Sequence, residues 1–323
     1  MHMRAKFTIA AVATAAMIGA AQAASWDMPT PYGDKTFHTV NIRAFAEDVK
    51  KASGGKLVIN VHSAGSLIKH PEIKNAVRRG LVPIGEVLMS RLSNEDPVFA
   101  VDSIPFLATN YDAAKKLWAA SRPVIEKKLA AQGLKLLYAV PWPPQGIYAK
   151  KELKSLADMK GLKMRAYNAA TETLAKLAGA VPTQVEAPDI PTAFSTGRVE
   201  AMITSPSTGA NSKAWDFVTF FHHTQAWLPK NMVVVNAKAF AKLPDDVQKA
   251  VLAAAKKAEE RGWQMSMKET ADKIAVLKAN GMTIVTPTAE LMNGLKEIGK
   301  KMTAEWAAKA GADGKAILDA YQK

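Results

Sequence analysis

The chain contains no cysteine among its 323 residues. That excludes disulfides, thiolate metal sites, cysteine nucleophiles and a lipidated precursor, and it leaves core packing to hold the fold. Long apolar runs are equally scarce. The one candidate, Phe7 to about Ala20, is too short for a hydrocarbon core of ~30 Å, which takes ~20 apolar residues. Catalytic signatures are missing as well: there is no GxGxxG, P-loop, GxSxG elbow or HExxH. Two SxxK matches, Ser53 to Lys56 and Ser66 to Lys69, lack the SDN and KTG partners of an acyl-transfer site. The first reads as a turn before a strand. Only one histidine pair exists, His222-His223, and adjacent residues do not share a face, so no metal site is expected and no cofactor is implied. Repeats and low-complexity linkers are absent too, so lobes, if present, are joined by several chain crossings.

What is there begins with an export signal. Arg4 and Lys6 precede the apolar run, and Ala21-Gln22-Ala23 offers a small-x-small cleavage site. Residues 1–23 are read as a signal peptide and 24–323 as the mature, periplasmic protein. The formal charge is +14, which tempts a nucleic-acid reading. However, the lysines are spread in pairs along helical segments, as at Lys115-Lys116 and Lys256-Lys257. We read a solvated basic surface that helps to draw in anions, with no nucleic-acid partner.

Along the mature chain, apolar β-branched runs alternate with amphipathic stretches. Strands are expected at Lys56 to His62, Leu134 to Val140, Leu162 to Tyr167, Val199 to Ile203 and Met232 to Asn236, and an apolar run covers Leu81 to Met89. Helices are expected at Pro71 to Gly80, Asp112 to Gln132 and Ala169 to Leu177. The alternation predicts an α/β fold with largely parallel sheets. Asp245 to about Asn280 holds no proline. As one helix it would extend ~50 Å, long enough to bridge two lobes. A break at Gly262-Trp263 is the alternative. A two-lobed α/β chain without a catalytic constellation fits a binding protein rather than an enzyme, its ligand held between the lobes.

The segment Leu153 to Tyr167 (LKSLADMKGLKMRAY) resembles the solute-binding proteins of tripartite ATP-independent periplasmic (TRAP) transporters, whose pattern DxKGLKxR it matches. The likeness extends over nearly all of the mature chain: Phe45 to Val61, Ala64 to Ile68, Ile104 to Leu107, Gly197 to Pro206 and Phe240 to Val251 resemble further family segments in order. The resemblance implies two lobes joined by hinge strands, a long helix across both, closure on ligand and docking on integral-membrane subunits, with a monomeric protein expected. Lobe I is placed at about 24–140 plus part of 215–280, and lobe II at about 141–214 plus parts of the C-terminal region.

The same resemblance supplies the site. Arg165 ends the GLKxR motif and, in the family, grips the ligand carboxylate; a planar guanidinium matches the two oxygens. From the residues alone, a surface arginine at a strand end reads as well. Asn168 matches a polar family position and is also a natural N-cap for the helix from Ala169. About twenty residues before Arg165, where many members carry a second basic residue, stands Gln145. Trp142 and Tyr148 beside it offer an aromatic wall or core packing. Arg91 falls where some members place a contacting arginine, while Leu88 replaces a polar residue. Thr204 and Ser205 fall where the second lobe supplies a hydrogen bond. Trp227 is a platform or core. One carboxylate anchor amid neutral groups and aromatics favours a monocarboxylate, either an aromatic acid or a 2-hydroxy or 2-oxo acid. The alternatives are a C4-dicarboxylate, the binding protein of an ATP-driven importer, or a secreted enzyme.

Overall fold

In the computed structural model, which describes residues 24–323, the chain opens with a strand, β1 (Ala24–Pro29), and a helix, α1 (Phe37–Ala52). The predicted signal segment lies outside the described residues. Next come β2 (Leu57–His62), α2 (His70–Arg79), β3 (Ile84–Leu88), α3 (Tyr111–Ala130) and β4 (Leu134–Pro141). A second group follows: β5 (Gly146–Ala149), β6 (Lys163–Ala166), α4 (Ala169–Leu177), β7 (Val181–Gln184), α5 (Ile190–Ser195), β8 (Ala201–Thr204), α6 (Pro206–Asn211) and β9 (Phe220–His222). The chain ends with β10 (Lys230–Asn236), α7 (Ala237–Ala241), α8 (Asp245–Ala279), β11 (Thr283–Val285) and α9 (Ala289–Gln322). Local chemistry sets many of these boundaries. Helix α2 carries Pro71 in its first turn and stops at Gly80 with φ of 75°, a left-handed stop that glycine adopts without strain. Helix α4 starts on Asn168, whose Oδ1 accepts from Thr171 N at 2.8 Å.

The strands form a parallel β1–β2 pair, a three-stranded sheet ordered β3-β10-β4 and a six-stranded sheet ordered β11-β9-β5-β8-β6-β7. The expectation of largely parallel sheets does not hold. Strand β10 is antiparallel to both of its neighbours, and so is β5. The reason is topological. A parallel pair needs a crossover element between its strands. Strand β5 instead continues the line of β4 into the other sheet, and β10 continues that of β9.

These two crossings lie side by side. Trp142 N donates to Pro229 O at 2.7 Å, Gln145 N to Trp227 O at 3.0 Å, and Ala226 N to Gln145 O at 3.0 Å. Between them Pro143 and Pro144 have no N–H to give.

Two long helices bind the halves together. Helix α8 runs unbroken for 35 residues, so the alternative break at Gly262 is not taken. The glycine serves a close approach instead. A Cβ there would come within 2.7 Å of Asn41 Nδ2 and nearer still to one of the Val140 methyls. Helix α9 was not foreseen. Its N-cap Thr288 meets Lys154 O, and Gly294 abuts Leu156. Further along, Trp306 Nε1 donates to Pro97 O at 2.7 Å. Gly311, with φ of 56° and ψ of −133°, kinks it. Among the described residues no helix is long and apolar enough to cross a membrane.

Candidate ligand-binding site

Between the two sheets lies a cavity of about 450 Å³. Tyr32, His70, Leu88 and Arg91 line it from the β1–β3 side; Arg165, Tyr167, Glu186, Thr204, Ser205 and Thr208 line it from the β6–β8 side. Trp142, Gln145 and Pro229 contribute from the crossings.

Arg165 stands in β6 and is 3% exposed. Its Nε donates to Val185 O at 3.0 Å, and its guanidinium lies 5.1 Å from the Tyr167 ring centre. Residues 165 and 167 are two apart on an extended chain, so their side chains share a face. No carboxylate pairs with Arg165 among the described residues. Burial, the dominant influence, pulls its pKa down from 12.5 to about 10, so it stays charged at neutral pH. A buried, charged guanidinium with N–H groups left over at a cavity has the chemistry to pair with an anion.

A hydrogen-bond chain fixes the wall beside it. Trp227 Nε1 donates to Tyr167 Oη at 3.1 Å, and Tyr167 donates to Gln145 Oε1 at 3.1 Å. Gln145 Nε2 donates to Pro143 O at 2.9 Å. The amide keeps one N–H and one lone pair for a ligand. Opposite, Trp142 Nε1 and Tyr32 Oη both donate to Asn231 Oδ1, at 3.0 and 3.4 Å. Asn231 Nδ2 in turn donates to buried Glu86 at 2.7 Å. Burial drives the Glu86 pKa up to about 7, against the hydrogen bonds from Thr30 and Asn231. His38 Nδ1 lies 3.5 Å from Glu86, but burial pushes the His38 pKa well down, so this is no ion pair.

The anticipated residues divide into two groups. Arg165, Gln145, Trp142, Arg91, Thr204 and Ser205 line the cavity. Asn168, Tyr148 and Trp227 do not. Asn168 caps α4, and its Nδ2 donates to Ser90 Oγ at 2.8 Å. Tyr148 is wholly buried against Phe221 at 4.6 Å and donates to Ser205 O. Trp227 acts only through Tyr167. Arg91 is there but not free: Nη1 meets Glu186 Oε1 at 2.8 Å and Tyr167 O at 3.1 Å. Sequence reasoning missed Tyr32, His70, Tyr167 and Glu186. Only Tyr167 carried a local signal, its two-residue offset from Arg165. Among the described residues no cluster of three His, Asp or Glu side chains could hold a metal ion.

An antiparallel and a mixed sheet joined by paired crossings and long helices, with a buried cationic group between them, define a two-lobed solute-binding protein. The family model for bacterial extracellular solute-binding protein, family 7, matches residues 31–310, and the chain belongs to that family. Its members are periplasmic solute-binding subunits of TRAP transporters rather than enzymes. A Bordetella pertussis extracytoplasmic solute receptor, solved binding pyroglutamic acid, is 48% identical with a TM-score of 0.91, covering 92% of this chain and 99% of that one. A marine metagenome TRAP solute-binding protein specific for pyroglutamate is 44% identical, with a TM-score of 0.92 and coverage of 93% and 99%. Among curated proteins, a monocarboxylate 2-oxoacid-binding periplasmic protein of Nostoc is 24% identical over 297 residues, covering 89% of this chain and 80% of its own length.

Proposed function

We propose that this TRAP solute-binding subunit captures a small monocarboxylate whose remainder is neutral, with pyroglutamate the favoured ligand. The observation that carries the reading is Arg165: buried, charged and, among the described residues, unpaired by any acid, with its guanidinium at the cavity. In this reading the ligand carboxylate sits on Arg165. The free N–H and lone pair of the Gln145 amide, together with the Thr204 and Ser205 hydroxyls, meet the polar edge of the ligand, and Trp142 and Tyr32 cover its apolar face. A lactam ring offers one N–H and one C=O, which suits neutral donors and acceptors better than a second cation. The pyroglutamate ligands of the Bordetella and marine metagenome relatives, both above 40% identity, support the choice. The general form, a monocarboxylate, also covers the 2-oxo acids expected from the sequence.

Delivery follows the family's scheme. Lobe I, about 24–140 with part of 215–280, and lobe II, about 141–214 with parts of the C-terminal region, close about the paired crossings. The closed form then docks on the membrane subunits. Cleavage after Ala23 would release the mature chain to the periplasm.

The test is a thermal-shift and calorimetry panel on the mature protein. Pyroglutamate, 2-oxo acids, aromatic acids and C4-dicarboxylates form the panel. A ligand at a hundred times its Kd stabilises by ~2.7 kcal/mol, enough to separate binders. Stabilisation by dicarboxylates alone would overturn the reading.

A further inference from the structure

We propose that Glu186 is a specificity-determining residue: by neutralising Arg91 it leaves Arg165 as the single uncompensated buried cation of the cavity, so that a monoanion is accepted and a dianion refused. This rests on the reading that Arg165 receives the ligand carboxylate.

The charged side chains that line the cavity are few. Arg165 and Arg91 are positive and Glu186 is negative; Lys69 and Asp189, of opposite sign, sit exposed at the rim. Glu186 is held by two donors. Arg91 Nη1 lies 2.8 Å from Oε1, and His70 Nδ1 lies 3.3 Å from Oε2. His70 Nε2 accepts from Leu88 N at 3.2 Å, so the ring's one proton must reside on Nδ1 and point at Glu186. Burial is the main influence on His70 and lowers its pKa despite Glu186, which leaves the ring neutral. For Glu186, burial pushes upward, but the His70 hydrogen bond and the Arg91 charge prevail and keep the carboxylate ionised. With His70 neutral and the rim pair cancelling, the lining carries a net charge of one positive unit.

Neighbouring residues of one loop thus address the two arginines differently. The Val185 carbonyl orients Arg165, which Glu186 reaches only through its longer-range field, whereas the Glu186 side chain pairs directly with Arg91. A second carboxylate on the ligand would find Arg91 already occupied and Glu186 repelling it. In a poorly hydrated cleft, like charges discriminate strongly.

The experiment compares pyroglutamate with glutarate, a dianion of the same carbon count, by calorimetry on wild type, Glu186→Gln, Arg91→Gln and the double variant. Wild type is expected to prefer pyroglutamate. Glu186→Gln frees Arg91 and should shift the ratio of affinities toward glutarate by about tenfold or more. Arg91→Gln strands the Glu186 charge and should weaken both ligands. The double variant should lose the glutarate gain and recover pyroglutamate binding, a charge rescue that a merely structural residue would not show. An unchanged ratio in Glu186→Gln, with wild type still selective, overturns the role of Glu186 alone. A glutarate gain that persists in the double variant overturns it too. Wild type binding glutarate as tightly as pyroglutamate, or neither, overturns the monocarboxylate reading and this proposal with it.

Discussion

Removing the Arg165 guanidinium should abolish ligand capture while leaving the empty protein as stable as before, or more so. Burial lowers the Arg165 pKa from 12.5 to about 10, a desolvation cost of about 3 kcal/mol carried by the ligand-free fold. Against it stand the bond to Val185 O and the contact with the Tyr167 ring, each contributing about 1 kcal/mol. Arg165→Met keeps the apolar stem and discards both terms. The unliganded variant should therefore melt within about 3 °C of wild type. Binding behaves otherwise. Losing one partner of a buried hydrogen-bonded charge pair costs about 2–5 kcal/mol, so affinity should fall on the order of a hundredfold or more. Arg165→Lys should fare little better, because a buried ammonium lacks the two-pronged donor and readily gives up its proton. The assay pairs calorimetric titration with pyroglutamate and thermal unfolding without ligand. Binding within a few-fold of wild type would refute the assignment. Normal loss of binding accompanied by a collapse in unliganded stability would show instead that Arg165 is a structural residue.

Two further outcomes test the scaffold. Gly262→Ala gains about 1 kcal/mol of helix propensity but drives a methyl into Asn41 and Val140, an overpacking penalty of about 1–3 kcal/mol. Its melting temperature should drop; a rise would show that α8 has room to shift. Glu86→Gln mimics the protonated acid, with Oε1 accepting from Asn231 and the amide N–H meeting Thr30. Because the Glu86 pKa rises from 4.5 to about 7 on folding, the native state holds the extra proton between those values. Its contribution to stability is therefore full below pH 4.5 and is lost as pH rises through 7, a swing of about 3 kcal/mol. The variant should thus gain on wild type progressively between pH 5 and pH 8, and a melting series showing the opposite trend would reject the assignment.

How much of this was legible in the sequence depended on how local the governing physics is. Helix α4 begins and ends where Asn168 and the run to Leu177 place it, because capping and periodicity act within a few residues. The span of α8 followed from the missing proline. Strand direction did not follow, since β5 and β10 owe their antiparallel partners to crossings that only the assembled sheets define. The cavity shows the same division. Arg165, Gln145 and Trp142 line it, and each was found through a motif or its spacing. Asn168, Tyr148 and Trp227 are turned to capping, core packing and support of Tyr167. Glu186 reaches the site from a loop and His70 from the start of α2, more than a hundred residues apart in sequence, and no local pattern marks either.

The crossing strand has one more consequence. Gln145 is a wall of the cavity and also one of the points at which the two crossings are fastened together, with prolines before it that fasten nothing. Those fastenings are made by the backbone N–H and C=O of Gln145, which every residue except proline can supply, so the wall can change its side chain while the seam keeps its bonds. A lineage could therefore exchange Gln145 to take a different acid and inherit the joint between the crossings unaltered.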